Sequence, residues 1–158
     1  MASKFDIKLK PGDEAPAFTA TDQDGQSVSL AQFRGKRVVL YFYPRDNTPG
    51  CTVEACAFRD ARAQLLSKGA VVLGVSTDSI EAHQRFARRH HLSFPLLADV
   101  DKKIVTAYGV WGEKSFLGRR FMGVHRATFL IGPDGRIQKV WPDVKVAKHV
   151  AEVLATLG

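Results

Sequence analysis

The sequence predicts an α/β fold in which a mixed central sheet is flanked by helices and preceded by an N-terminal β-hairpin. Three observations carry that expectation. The runs "KRVVLYFYP" and "AVVLGVST" are continuously apolar, β-branched and aromatic, as strands buried on both faces are. Each is followed by a segment of helical apolar spacing, the alternation that builds crossover units. Paired strands around Asp-Gly turns occur early and late in the chain, and hairpins add antiparallel strands to the parallel set.

The elements follow in order. "AFTATDQDGQSVSL" alternates around Asp24-Gly25 and reads as the first hairpin. "KRVVLYFYP" is the buried strand, and Pro44 ends it because proline supplies no amide to a ladder. "CTVEACAFRDARAQLLSKG" has helical spacing through Val53, Cys56, Ala57, Leu65 and Leu66, with Gly69 placed as a C-terminal cap. "AVVLGVST" is the next strand, "SIEAHQRFARRHH" a helix opened by Ser79, "FPLLAD" a short strand and "DKKIVTAYG" a short helix. "VWGEKSFLGRRFMGV" shows no clean period, so it is expected to be a long connection. "HRATFLIGPDGRIQKVWP" is a strand, a Pro-Asp-Gly turn and a strand, and "KVAKHVAEVLATL" is the closing helix.

Length and composition narrow the function classes. A chain of 158 residues fits one domain over 1–158, with enough core to fold unaided. The N-terminal "MASKFDIKLKPGDEAPAF" lacks the apolar core of a leader, and no apolar run approaches the roughly 20 residues that span a membrane. The expectation is a cytosolic protein with no membrane partner. Lys and Arg number 23 against 16 Asp and Glu, a net charge of +7. The cations are scattered apart from "RFARRHH" and "LGRRF" and no recognition motif accompanies them, so they read as a solvated basic face and not as a nucleic-acid site.

The chemistry concentrates in "YPRDNTPGCTVEAC", which holds the chain's two cysteines, Cys51 and Cys56. In a reducing compartment such a pair points to reactivity or metal binding in preference to a structural bridge. On an intact helix a separation of five places the two Cα atoms roughly 8 to 9 Å apart, beyond the about 7 Å that a disulfide tolerates. Cys51 follows Thr48-Pro49-Gly50 in the first helical turn, where unpaired amides and the positive end of the dipole favour a thiolate. An unperturbed thiol is only about 3% ionised at pH 7, so a fast nucleophile also needs groups that align its substrate and stabilise the departing charge. Thr48 stands where its hydroxyl can reach back over Cys51, or where it can simply cap the helix. Pro44 and Pro49 are turn formers whose rings can also exclude water.

Pro44, Thr48 and Cys51 together make "P-x-x-x-T-x-x-C", and this pattern resembles the active-site motif of peroxiredoxins. "TPGCTVEAC" is similar to the Q-type subfamily, also called bacterioferritin comigratory protein, and so in order are "PGDEAPAF", "YFYP", "VLGVS", "YGVWGEKSF", "HRATFLI" and "PDGRI". The resemblance spans nearly the whole chain. It implies a thioredoxin-like fold and a thiol-dependent peroxidase that uses no cofactor, neither haem nor metal. Its substrates would be hydrogen peroxide and organic hydroperoxides, its reductant thioredoxin or a glutaredoxin-like dithiol, and its state a monomer.

Residue by residue, the resemblance makes Cys51 the peroxidatic cysteine and Cys56 the resolving one. Thr48 would bond the peroxide and the sulfur, and Pro44 would shield them. Arg126 in "HRATFLI" would stabilise the thiolate and polarise the peroxide. From the residues alone an arginine opening an apolar strand either snorkels to solvent or faces an anion. Glu54 either orients that arginine or serves the helix dipole. Tyr41 and Phe42 read as core, and Trp111 as a loop anchor.

Two rival readings weigh against this one. A metal could be held by Cys51 and Cys56 with some of His83, His90, His91, His125 and His149, but the cysteine spacing is not that of structural zinc. A protein thiol–disulfide oxidoreductase would carry C-x-x-C, a closer pair than the one present.

Overall fold

A computed structural model describes residues 6–158. The expectation drawn from the N-terminal segment falls in part on residues 1–5, outside the described residues. The elements are β1 (Thr19–Thr21), β2 (Ser27–Ser29), a 3-10 turn (Leu30–Phe33), β3 (Arg37–Phe42), α1 (Pro49–Ser67), β4 (Ala70–Ser76), α2 (Ile80–His90) and β5 (Leu96–Ala98). There follow α3 (Lys103–Ala107), β6 (Trp111–Phe116), β7 (Arg119–Val124), β8 (Ala127–Ile131), β9 (Ile137–Trp141) and α4 (His149–Leu157).

The central sheet has the order β5-β4-β3-β8-β9. β3 runs parallel to β4 and antiparallel to β8, so the mixed sheet expected from crossovers plus a late hairpin is the one observed. Alternation along β3 divides the core. Val39, Tyr41 and Tyr43 join Phe58, Leu65, Phe86 and Val153 on one face. Val38, Leu40 and Phe42 join Leu73, Val105, Tyr108 and Phe129 on the other. The unbroken apolar run is thus explained by two buried faces on a central strand. Gly69, at φ +72°, closes α1 in a left-handed conformation that needs no Cβ. Ser79 caps α2 by accepting the Ala82 amide at 3.1 Å.

Two expectations are corrected. The segment read as a long connection is an antiparallel hairpin, with β6 and β7 paired from Trp111↔Val124 to Phe116↔Arg119. Its period was hidden because both faces of the outer half are exposed, so no apolar/polar alternation marks a buried side. Its turn, Leu117-Gly118, places a leucine at φ 50°, where glycine, asparagine or aspartate is the usual signal. The closing helix begins at His149 and not at Lys145. Val144 is buried and its amide reaches the carbonyl of Arg126 at 3.4 Å, which ties residues 144–148 to the start of β8 before helical hydrogen bonding can begin.

His149 anchors the start of α4. It stacks edge-on against Phe58 and Trp141, and its Nε2 lies 2.7 Å from Thr128 Oγ1. Burial, assisted by Arg126, pushes its pKa down to about 4. Below the unfolded value near 6.5 the unfolded chain takes up a proton that the folded chain refuses. Stability from this group is therefore complete above pH 6.5 and lost as pH falls toward 4, by an amount on the order of 2 kcal/mol. Replacing His149 by Gln should flatten the fall in urea-unfolding free energy between pH 6.5 and 4 relative to wild type; parallel curves for the two proteins would contradict this.

Candidate active site

The site forms where β3 stops and α1 starts. Tyr43 and Asp46 fix the intervening loop. The Tyr43 hydroxyl donates to Asp46 Oδ1 at 2.6 Å, His83 Nδ1 lies 2.6 Å from Asp46 Oδ2, and the Asp46 amide donates to Asp78 Oδ2 at 2.9 Å. His83 Nε2 faces the Leu97 carbonyl at 3.0 Å, an atom that can only accept. Nε2 therefore donates its hydrogen to that carbonyl, and Nδ1 is left facing the Asp46 carboxylate in a buried pair. A lone Asp in a turn and a lone His in a helix gave no sign of this link in the sequence.

Thr48 is the N-cap residue of α1, yet its side chain does not cap. Its hydroxyl instead donates to the Arg45 carbonyl at 2.8 Å. The donor is thereby committed while the oxygen lone pairs stay available to accept. Pro44 is half-buried at the end of β3, and Pro49 occupies the first turn of α1. Cys51, at 1% exposure, packs with Tyr41, Tyr43 and Ala55 in one core.

Arg126 reaches this sulfur from the residue preceding β8. Its Nη2 donates to Cys51 Sγ at 3.3 Å and its Nη1 donates to Glu54 Oε1 at 2.8 Å. The guanidinium fork thus points at the Cys51 sulfur and at Glu54 together, and not out to solvent. Gly50 leaves room for the approach, because a Cβ there would stand 3.2 Å from Arg126 Nη2. Burial raises the Glu54 carboxyl to about 7 against the pull of Arg126, while Oε2 and the buried Tyr41 hydroxyl have no hydrogen-bond partner among the described residues. Lys114 on β6 adds a second, half-buried cation. Its Nζ donates to the Val124 carbonyl at 2.9 Å, and its pKa is held down by burial and Arg126 against the opposing pull of Cys51.

Cys51 and Cys56 are both free thiols on one unbroken helix. Five residues correspond to about 140° of net rotation, so one sulfur faces the core while the other lies at a half-exposed position. The histidines weighed as metal ligands are dispersed. Among the described residues, Asp46, Asp78 and His83 are the group whose ligand atoms converge, within 4.8 Å, and neither cysteine belongs to it.

A mixed sheet with a buried cysteine at the start of the helix after its central strand defines a thioredoxin-like α/β protein built around a thiol, and the chain belongs to the AhpC/TSA family, whose model matches residues 11–140. Its likeness is to the Q-type peroxiredoxins, or bacterioferritin comigratory proteins, as the motifs implied. Peroxiredoxin Bcp of Escherichia coli (strain K12) is 50% identical over 92% of this chain and 94% of its own, and that of Bacillus subtilis (strain 168) is 47% identical over 96% of each. The structure described as that of the Xanthomonas campestris bacterioferritin comigratory protein, in work on its alkyl peroxide reduction activity, superposes with a TM-score of 0.86 at 36% identity, covering 96% of this chain and 97% of that one. The protein is accordingly a peroxiredoxin, a peroxidase of bacterial type.

Proposed function

We propose that this chain reduces hydrogen peroxide and organic hydroperoxides through Cys51 and returns to its starting state through Cys56 and an external dithiol of the thioredoxin or glutaredoxin kind. The observation that carries the reading is the Arg126 fork, which ties the buried Cys51 sulfur to Glu54. The Cys51 thiolate attacks one peroxide oxygen, the O–O bond breaks, and the leaving oxygen departs as water or an alcohol after taking a proton. The sulfur is left as a sulfenic acid. Arg126 stabilises negative charge on sulfur and then on the leaving oxygen. Thr48, its own hydrogen held by Arg45, accepts the hydroperoxide hydrogen and aligns the O–O bond. Pro44 walls off water.

Resolution requires the helix to open. Cys56 Sγ attacks the Cys51 sulfur, a disulfide forms and water leaves, and the outside dithiol then reduces that disulfide. The first turns of α1 suit this opening. Thr48 does not cap them, no acidic residue supports their dipole, and glycine lies in the first turn. What holds them is Arg126, and conversion of the thiolate to a neutral sulfenic acid removes one of its charged partners.

Cys56→Ser should therefore consume about one equivalent of peroxide and then stop with a thioredoxin system as reductant, with faster amide exchange at residues 50–58 in its sulfenic acid form. The wild type should turn over and gain that exchange. Peroxide turnover with several reductants on the wild type and both cysteine variants tests the reading, and full thioredoxin-linked turnover by Cys56→Ser would overturn the resolving role.

A further inference from the structure

We propose that the β6–β7 hairpin docks the protein on an anionic lipid surface, with the outer edge of the hairpin entering the headgroup layer. Strand pairing sorts its side chains. Lys114 pairs with Phe121 and Phe116 with Arg119, so these four share one face, with Gly112 and Gly123 paired beneath them. Glu113, the acidic residue of the hairpin, lies on the other face opposite Met122 and forms an ion pair with Arg120 at 3.4 Å. One face thus carries two aromatic rings and two cations and no acid.

The apolar residues are open to solvent. Leu117 at the turn is 87% exposed, with Phe116 68% and Phe121 48% on the cationic face and Met122 53% on the other, apolar side chains that a water-facing hairpin has no folding reason to keep. Three occupants are conceivable for it. A second copy of the chain would bring Lys114, Arg119 and Arg120 against their like charges. A rigid protein partner would ordinarily bury about 800 Å² on this side, more than four apolar side chains divided between the turn and two faces of a hairpin supply. An acidic bilayer needs no complementary groove, accepts rings and an aliphatic turn at headgroup depth, and attracts the surrounding cations. Charge complementarity therefore selects the lipid surface. No helix of the described residues is long and apolar enough to cross a membrane, and the docking proposed is peripheral.

The hairpin leads directly to the cysteine site. Lys114 lies within the field of both Arg126 and Cys51, and His125 and Arg126 follow immediately after β7. Docking would present that site to hydroperoxides at the lipid interface. That purpose rests on the peroxidase reading given above, whereas the docking itself does not.

The test measures co-sedimentation with vesicles of phosphatidylcholine alone and of phosphatidylcholine mixed with phosphatidylglycerol. It uses the full chain as wild type and as Cys51→Ser, so that binding is read whether or not Cys51 is the peroxide-reactive group. Both proteins should partition onto the acidic vesicles and not onto the zwitterionic ones, and molar salt should release them. Phe116→Ser/Leu117→Ser should lower acidic-vesicle partition by more than about tenfold, and Arg119→Glu by a similar factor, each with a thermal melt matching wild type. Absence of acidic-vesicle binding, equal binding to both vesicle types, or unchanged binding by these folded variants would overturn the proposal. So would a concentration-dependent dimer abolished by Phe116→Ser/Leu117→Ser, which would assign the face to a second copy.

Discussion

Cys51→Ser is expected to lose peroxide reduction by more than about 10³-fold while keeping its fold. The change replaces sulfur by a smaller oxygen at a site with 1% exposure. The hydroxyl can still accept from Arg126 Nη2, so no buried donor is stranded. What disappears is the anion. A serine hydroxyl stays protonated in the working pH range, and among the described residues the side chain hydrogen-bonded to this position is Arg126, which cannot take its proton. Arg126 would then hold a neutral oxygen with no tendency to attack an O–O bond. The measurement is hydrogen peroxide consumption under excess dithiol, with a urea melt as the control for folding. A folded Cys51→Ser protein retaining a tenth of wild-type turnover would remove Cys51 from the role proposed for it.

How much of this could be read from the sequence depends on the range over which each residue acts. The central strand and the helix after it were legible because burial on two faces and helical spacing are local patterns. The position of Cys51 in the first turn of a helix was legible for the same reason, since Thr48-Pro49-Gly50 marks a helix start within four residues. The Arg126–Glu54 contact joins positions 72 residues apart. Nothing local distinguishes such an arginine from a surface one, and only the resemblance of "HRATFLI" pointed to it. The Asp46–His83 link, 37 residues apart, had no such help and was missed. The β6–β7 hairpin was missed for the opposite reason. Its local pattern is atypical, with a leucine in a left-handed turn and rings on exposed positions. Segments that break the folding pattern in this way are where a surface role is to be sought.

Arg126→Ala should slow the first step by about 10² to 10³-fold, the usual cost of removing one preorganised donor from developing negative charge. It should also destabilise the protein in a way that depends on pH. With Arg126 gone, Glu54 has no ion-pair partner among the described residues and 0% side-chain exposure. Left ionised there, it would cost roughly 3 to 5 kcal/mol. The carboxyl already rises to about 7 with the arginine present, and removing the favourable charge raises it further. The folded variant therefore binds a proton that the unfolded chain, with an ordinary carboxyl near 4.5, releases. Stability therefore falls as pH rises from about 4.5 until the raised carboxyl itself ionises above neutrality, and is highest in acid, where the carboxyl is neutral in both states. Adding Glu54→Gln removes the titrating group, so the double variant should regain stability at pH 8 relative to Arg126→Ala and lose the pH dependence. It should not regain peroxidase rate, because the donor to sulfur is still missing. Recovery of rate together with stability would show that Arg126 serves only to neutralise Glu54, and an unchanged rate in Arg126→Ala would take the guanidinium out of the reaction altogether.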